Sequence, residues 1–195
     1  MSYRTGDFDG ASAFDDGVSL LITGPSTVTT EGLLDAVAPD DGERAVLITM
    51  NTGPKTIVKE LERRGADRDQ IGIIDCTNAE TDVEGVPVRR LNSPGDLTGI
   101  SLEFAKLLGQ NDDESVRARV GVASVSTALM YTEPRTMFRF LHVFTARIRS
   151  GEMFGVFSLD PTMHDEKAYN TIRSVFDCEA EMTADDVSLS GTGYE

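Results

Sequence analysis

Residues 18–34 read VSLLITGPSTVTTEGLL, and the rest of the chain is organised around them. Val18 to Ile22 is an apolar run, and Gly24-Pro25 is a turn. The hydroxyl residues Ser26, Thr27, Thr29 and Thr30 follow, then a short apolar segment at helical spacing over residues 31–37. Strand, glycine-led loop and helix is the layout of a phosphate-binding loop, in which backbone N–H groups and a helix N-terminus face an anion. The residues that let such a loop grip phosphate tightly are missing. The strand, over residues 17–23, is a near-continuous apolar run, as expected where both faces of a sheet are covered.

Outward from this stretch, strands alternate with helices. Residues 44–50 (RAVLITM) predict a second strand and 70–75 (QIGIID) a third, with a helix over 55–64 stopped by Gly65. Pro54 is set to start that helix. A short edge strand is expected over 86–91, a helix over 96–108 and an acidic loop over 110–115. Residues 118–125 (ARVGVASV) and 153–159 (MFGVFSL) read as core strands. Between them a long helix from Pro134 to Ser150 carries Met137, Phe138, Phe140, Leu141, Phe144 and Ile148 at helical spacing. A last helix over 165–176 precedes a C-terminal hairpin built from 178–182 and 187–190. The fold class is therefore α/β, a mostly parallel sheet with helices on both faces. Residues 1–16, polar and Gly-rich, read as a flexible N-terminal arm that Phe8 and Phe14 could anchor, and 17–195 as a single domain.

Charge narrows the function classes. Asp and Glu number 33 against 18 basic residues, a formal charge of −15. Only Lys55, Lys59, Lys106 and Lys167 are lysines. Acidic, Lys-poor chains suit multimolar salt, where a Debye length of roughly 3 Å at 1 M screens self-repulsion. We read a halophilic, haloarchaeal, cytoplasmic protein. Direct nucleic-acid binding is not expected, because no basic footprint for phosphates exists. Membrane insertion is not expected either, since no long apolar span occurs. Cys76 and Cys178 are far apart, with no Cys-x-x-Cys, so free thiols are expected and zinc is not.

Taken together, the motifs resemble the RecA-like core of the KaiC-type ATPases, over roughly residues 17–190. FRFLHVFTARIRSGEMFGVFSLDPTMHDEKAYNTIRSVFD looks like that family's helix, strand and DPxxHD helix start. RAVLITMNTGPKTIVKELERRGADRDQIGIIDC looks like its second strand, helix and third strand, and RVGVASVSTAL like its Walker B strand. The resemblance implies a RecA-like P-loop fold and, position by position, a degenerate member. An active loop reads Gly-x4-Gly-Lys-Ser/Thr, with the lysine on the β/γ oxygens and the hydroxyl on magnesium. Counting from Gly24, those last three positions are Thr29, Thr30 and Glu31. Glu31 would set a negative charge beside the phosphates, a repulsion of roughly 4 kcal/mol per contacting pair at an effective dielectric of about 20. The Walker B aspartate position falls on Ala123, and the glutamate pair after the second strand on Asn51 and Thr52. Neither Asn51 nor Thr52 is a useful base at neutral pH.

The expectation is a non-catalytic domain with no catalytic residue, metal or cofactor. It would act through protein partners, itself or an active RecA/KaiC-like relative among them. Signalling, transcriptional control and assembly of a motility or surface machine are the processes considered. The alternative is a sensor that binds ATP without hydrolysing it, through Gly24, Ser26, Thr27, Thr29 and Thr30 as a relic phosphate loop. The same residues also read as an ordinary turn with a Ser/Thr cap. His142 reads as a packed or hydrogen-bonded histidine, and His164 as a structural residue at a helix start. Asp160, His164 and Asp165 suggest a metal site only weakly, and Asp75 reads as a solvated strand end. Ser124 and Ser126 have no base at a suggestive spacing.

Overall fold

The computed structural model describes residues 1–79, 82–109 and 116–195. The acidic loop expected over 110–115 lies outside them. The main sheet has the order β10-β9-β3-β8-β7-β4-β5-β6. Its strands are β3 (Ser19–Thr23), β4 (Glu43–Thr49), β5 (Ile71–Asp75), β6 (Val88–Arg90), β7 (Arg117–Ala123), β8 (Phe154–Leu159), β9 (Cys178–Met182) and β10 (Val187–Gly191). Every neighbouring pair is parallel except β9 and β10, which form the antiparallel C-terminal hairpin. β3 and β8 are buried along their whole length, which is why they read as unbroken apolar runs rather than alternations.

Helices cover both faces. α1 (Ser26–Val37) and α2 (Pro54–Arg63) pack on one face, with Leu33, Leu34, Val37, Ile57, Val58 and Leu61 in its core. The other face is covered by α3 (Leu97–Gly109), α4 (Val125–Ala128), α5 (Pro134–Ser150) and α6 (Glu166–Arg173). Parallel strands linked through such helices put all their carboxyl ends on one edge, and ligand crevices of open α/β sheets form there. Among the described residues no helix is long and apolar enough to cross a membrane.

The flexible arm expected over 1–16 is instead a docked hairpin. β1 (Ser2–Phe8) pairs with β2 (Ala11–Asp15). Tyr3 and Phe14 are fully buried and Phe8 is 3% exposed. Phe14 stacks on Phe154 with ring centroids 4.9 Å apart, and the Tyr3 hydroxyl donates to the Glu152 carbonyl at 2.8 Å. Burying each aromatic contributes roughly 1.5–3 kcal/mol, enough to order a segment whose other residues are polar.

Candidate functional site

The decisive geometry is the connection from β3 to α1. It holds two residues, Gly24 and Pro25, and α1 begins at Ser26. The sequence predicts a loop over 24–30 with the helix starting at 31. The structure corrects that boundary: the four hydroxyl residues lie on the first turns of the helix. Pro25 occupies the N-cap, and its carbonyl accepts the N–H groups of Val28 and Thr29 at 3.0 Å. Thr30 Oγ1 donates back to the Ser26 carbonyl at 2.7 Å, and Thr29 Oγ1 to the same oxygen at 3.4 Å. Thr29 is buried, while Ser26 and Thr27 remain exposed. A phosphate cradle needs several free N–H groups curved around one point. Here that arc of backbone is wound into helix.

Met182, at the end of β9, explains why the two glycines stay glycine. A Cβ on Gly24, whose φ is +145°, would lie 2.2 Å from the Met182 carbonyl oxygen. A Cβ on Gly32 would lie 2.5 Å from the Met182 sulfur. Gly24 thus serves the close approach of the β9 backbone. The crevice that remains beside it has a volume of about 410 Å³ and lies at the carboxyl ends of β3, β8 and β9. Its charged lining residues are Asp160 and Glu181, and no basic side chain lines it. Its field opposes a phosphate.

Glu31 does not point at this crevice. It pairs with Arg64 at 2.5 Å, and the same guanidinium meets Asp35 at 2.6 Å and Glu60 at 3.1 Å. The contact repulsion expected between Glu31 and a phosphate therefore does not arise, because Arg64, at the C-cap of α2, holds the carboxylate away from this crevice. Ala123 is buried at the end of β7, and its carbonyl accepts the Met50 N–H at 2.7 Å. Asn51 is exposed in the turn after β4, where the Thr49 hydroxyl donates to the Thr52 carbonyl.

The remaining flagged residues separate. Asp160 caps the short 3-10 turn Pro161–Met163 through the Thr162 N–H at 3.0 Å, and Asp165 caps α6 through Ala168 at 2.7 Å. His164 Nε2 lies 2.8 Å from Ser126 Oγ, which also accepts the Asp160 N–H at 2.9 Å. Burial lowers the imidazole's pKa against the opposing pull of Asp160 and Asp165. Sequence spacing missed this Ser–His contact because 38 residues separate the two. Ser126 is only 1% exposed, and the contact ties α4 to the segment that leads into α6. Among the described residues no group of three His, Cys, Asp or Glu could hold a metal ion.

Two further expectations fail. Asp75 is not solvated but fully buried, held by the Thr77 N–H at 2.9 Å and hydroxyl at 2.6 Å, with Oδ2 unpartnered. His142 is not packed inside; it lies exposed on the outer face of α5, stacked on Phe138 at 6.1 Å. Both cysteines are buried free thiols, pushed up to about 12 by burial and then by the neighbouring aspartates.

A second polar cluster was also missed. Buried Glu179 accepts from the Thr23 hydroxyl at 3.1 Å and from the Tyr169 hydroxyl, and pairs with Arg173. Burial and the bond to Glu179 raise the Tyr169 pKa. Every member has a partner inside the cluster, so it fastens α6 to β9.

The comparisons agree with this frame. A model of a family of unknown function (DUF7504) matches residues 17–182, and the chain belongs to that family. A KaiC-like protein of the hyperthermophilic archaeon Pyrococcus horikoshii OT3 superposes with a TM-score of 0.67 at 14% identity, covering 100% of this chain and 89% of that one. A second protein of the same organism, known from a structural study, superposes with a TM-score of 0.63 at 17% identity, over 92% and 88%. At these identities the likeness is one of fold, a RecA-like, KaiC-like α/β sheet. No curated protein sequence matches the chain.

Proposed function

We propose that this DUF7504 member is a non-catalytic RecA/KaiC-like domain that works by binding other proteins in the cytoplasm of a halophilic archaeon. Its setting would be signalling, transcriptional control or the assembly of a motility or surface machine. The observation that carries the reading is the two-residue β3–α1 connection, with Met182 seated on Gly24 and Gly32. In RecA-like enzymes that connection is where nucleotide would be held. Its replacement by helix, together with Ala123, Asn51 and Thr52 at the positions for magnesium and base, supports a constant scaffold rather than a nucleotide switch. The acid surplus supports the halophilic setting.

The competing reading is a sensor that holds ATP without hydrolysis. Exposed Ser26 and Thr27 at a helix N-terminus favour it, and Asp160 and Glu181 in the crevice oppose it. Titration with a fluorescent ATP analogue and magnesium, in molar KCl, separates the two. The scaffold reading expects no binding at millimolar nucleotide, and micromolar binding overturns it.

A further inference from the structure

The 17 residues of α5 carry four arginines and no carboxylate, in a chain of formal charge −15. The inner face of α5 buries Met137, Leu141, Phe144 and Ile148. Its outer face presents Arg135, Arg139, His142 and Val143 to solvent. Arg149 pairs with Asp177 at 2.5 Å, and Arg147 lies over the Phe104 ring at 5.3 Å. Arg135 and Arg139 have no ion-pair partner among the described residues, although most other arginines of the chain are paired with a carboxylate. Beside this face, a groove of about 480 Å³ opens between α5 and α6. Pro134, Phe138 and Ala168 line it, and its charged residues, Arg135 and Lys167 against Glu133 and Asp165, balance, so the unpaired positive charge of this face is that of Arg135 and Arg139 on the outer side of α5. Tyr131, 60% exposed, and Met130, 71% exposed, precede the helix.

The opposite face of the sheet carries the complement. A groove of about 720 Å³ is bounded by α1, the β1–β2 turn and the β9–β10 turn. Asp7, Asp9, Glu31, Asp35, Asp185 and Asp186 line it, and no basic side chain does. Arg64 reaches Glu31 and Asp35, but Asp7 near the end of β1 and Asp9, Asp185 and Asp186 in the two turns have no ion-pair partner among the described residues. Val28, Met182 and Val187 give this groove apolar surface as well.

We propose that the outer face of α5 docks into the acidic groove of a second copy of this chain. The inference rests on the reading of the domain as a protein-binding module and names its partner. The two surfaces belong to opposite faces of one sheet, since α1 and the N-terminal hairpin share one core and α5 and α6 the other. The contact is therefore head to tail, and it closes into a ring or runs on as a filament. Two copies of charge −15 repel at long range. In molar salt a Debye length of about 3 Å removes that repulsion and leaves only touching charges able to attract.

Paired charge reversals test the proposal. R135E/R139E turns the helix face acidic, and D185K/D186K sets two lysines where the groove would meet the arginines, leaving it four carboxylates of six; all four side chains are exposed, so both variants keep the fold, which their melting curves verify. Mass is followed by analytical ultracentrifugation over rising protein concentration. The wild type is expected to rise above the monomer mass. Each variant alone stays monomeric until about tenfold higher concentration, the change that a loss of about 1.4 kcal/mol produces. An equimolar mixture of the two assembles again, because one variant's intact helix meets the other's intact groove. A wild type that stays monomeric, a variant that assembles as the wild type does, or a mixture that stays monomeric overturns the proposal. Such a failure leaves the non-catalytic reading standing, because the nucleotide titration decides that separately.

Discussion

Thr29→Gly, Thr30→Lys and Glu31→Ser together write a full Gly-x4-Gly-Lys-Ser motif onto residues 24–31. On the geometry found, the triple variant loses stability and gains no phosphate site. Thr29 is 3% exposed, so Gly there forfeits a buried methyl worth about 0.8 kcal/mol and a few tenths more in helix propensity. Thr30 gives up its bond to the Ser26 carbonyl, about 0.5 kcal/mol for a partly exposed group. Glu31 leaves Arg64, an exposed pair worth about 0.5 kcal/mol. The sum is about 2 kcal/mol, or roughly 4–8 °C in Tm for a domain of this size. Thermal melts in molar KCl, with and without magnesium and ATP, read both effects. The expected result is the lower Tm in each case and no response to nucleotide. A bound nucleotide at a hundredfold excess over its Kd would add about 2.7 kcal/mol, roughly 5–10 °C. A rise of that size refutes the reasoning, since it means that the first turn of α1 unwinds into a cradle once the motif is supplied.

Other consequences follow from the buried ion pairs, the hairpin and His164. Arg119 is 1% exposed and holds buried Glu43 at 2.6 Å, so Arg119→Ala, which leaves Glu43 only Arg117 at 3.3 Å, is expected to cost about 3 kcal/mol in urea unfolding. Arg119→Met combined with Glu43→Gln is expected to cost less than the single change, because no buried carboxylate is left short of its cation. Phe14→Ala is expected to cost about 3–5 kcal/mol and, by freeing the β1 backbone from its pairing, to speed trypsin cleavage after the already exposed Arg4; an unchanged melt would contradict a docked hairpin. His164, held by burial below its ordinary value of about 6.5, keeps its proton less readily when folded. Its contribution to stability is full above about pH 6.5 and is lost as the pH falls below that. His164→Gln should flatten this part of the stability profile relative to wild type.

Most of the sheet was legible because parallel strands covered on both faces must be apolar throughout, as Leu20 to Ile22 and Phe154 to Phe157 are. Pro54 and Pro134 at helix starts, and the period of Met137, Leu141, Phe144 and Ile148, fixed α2 and α5 for the same local reasons. The start of α1 was not legible. Ser26, Thr27, Thr29 and Thr30 are poor helix formers, and local propensity favours a loop there. Packing of Met182 on Gly24 and Gly32, a contact from far along the chain, overrides it. The hairpin was hidden in the same way: Tyr3, Phe8 and Phe14 are too widely spaced among polar residues to show a core face, and Phe154 supplies the partner. The direction of Glu31 was not readable either, because Arg64, at the end of another helix, lies 33 residues further along the chain. Ser126 with His164, and Tyr169 with Glu179, are likewise meetings between elements that no local pattern announces.

The central claim is that the β3–α1 connection no longer holds nucleotide. Titration of the wild-type chain with a fluorescent ATP analogue, with magnesium and in molar KCl, tests it most directly. The account expects no saturable signal up to millimolar nucleotide. Saturation at micromolar nucleotide, reversed by unlabelled ATP, would contradict it.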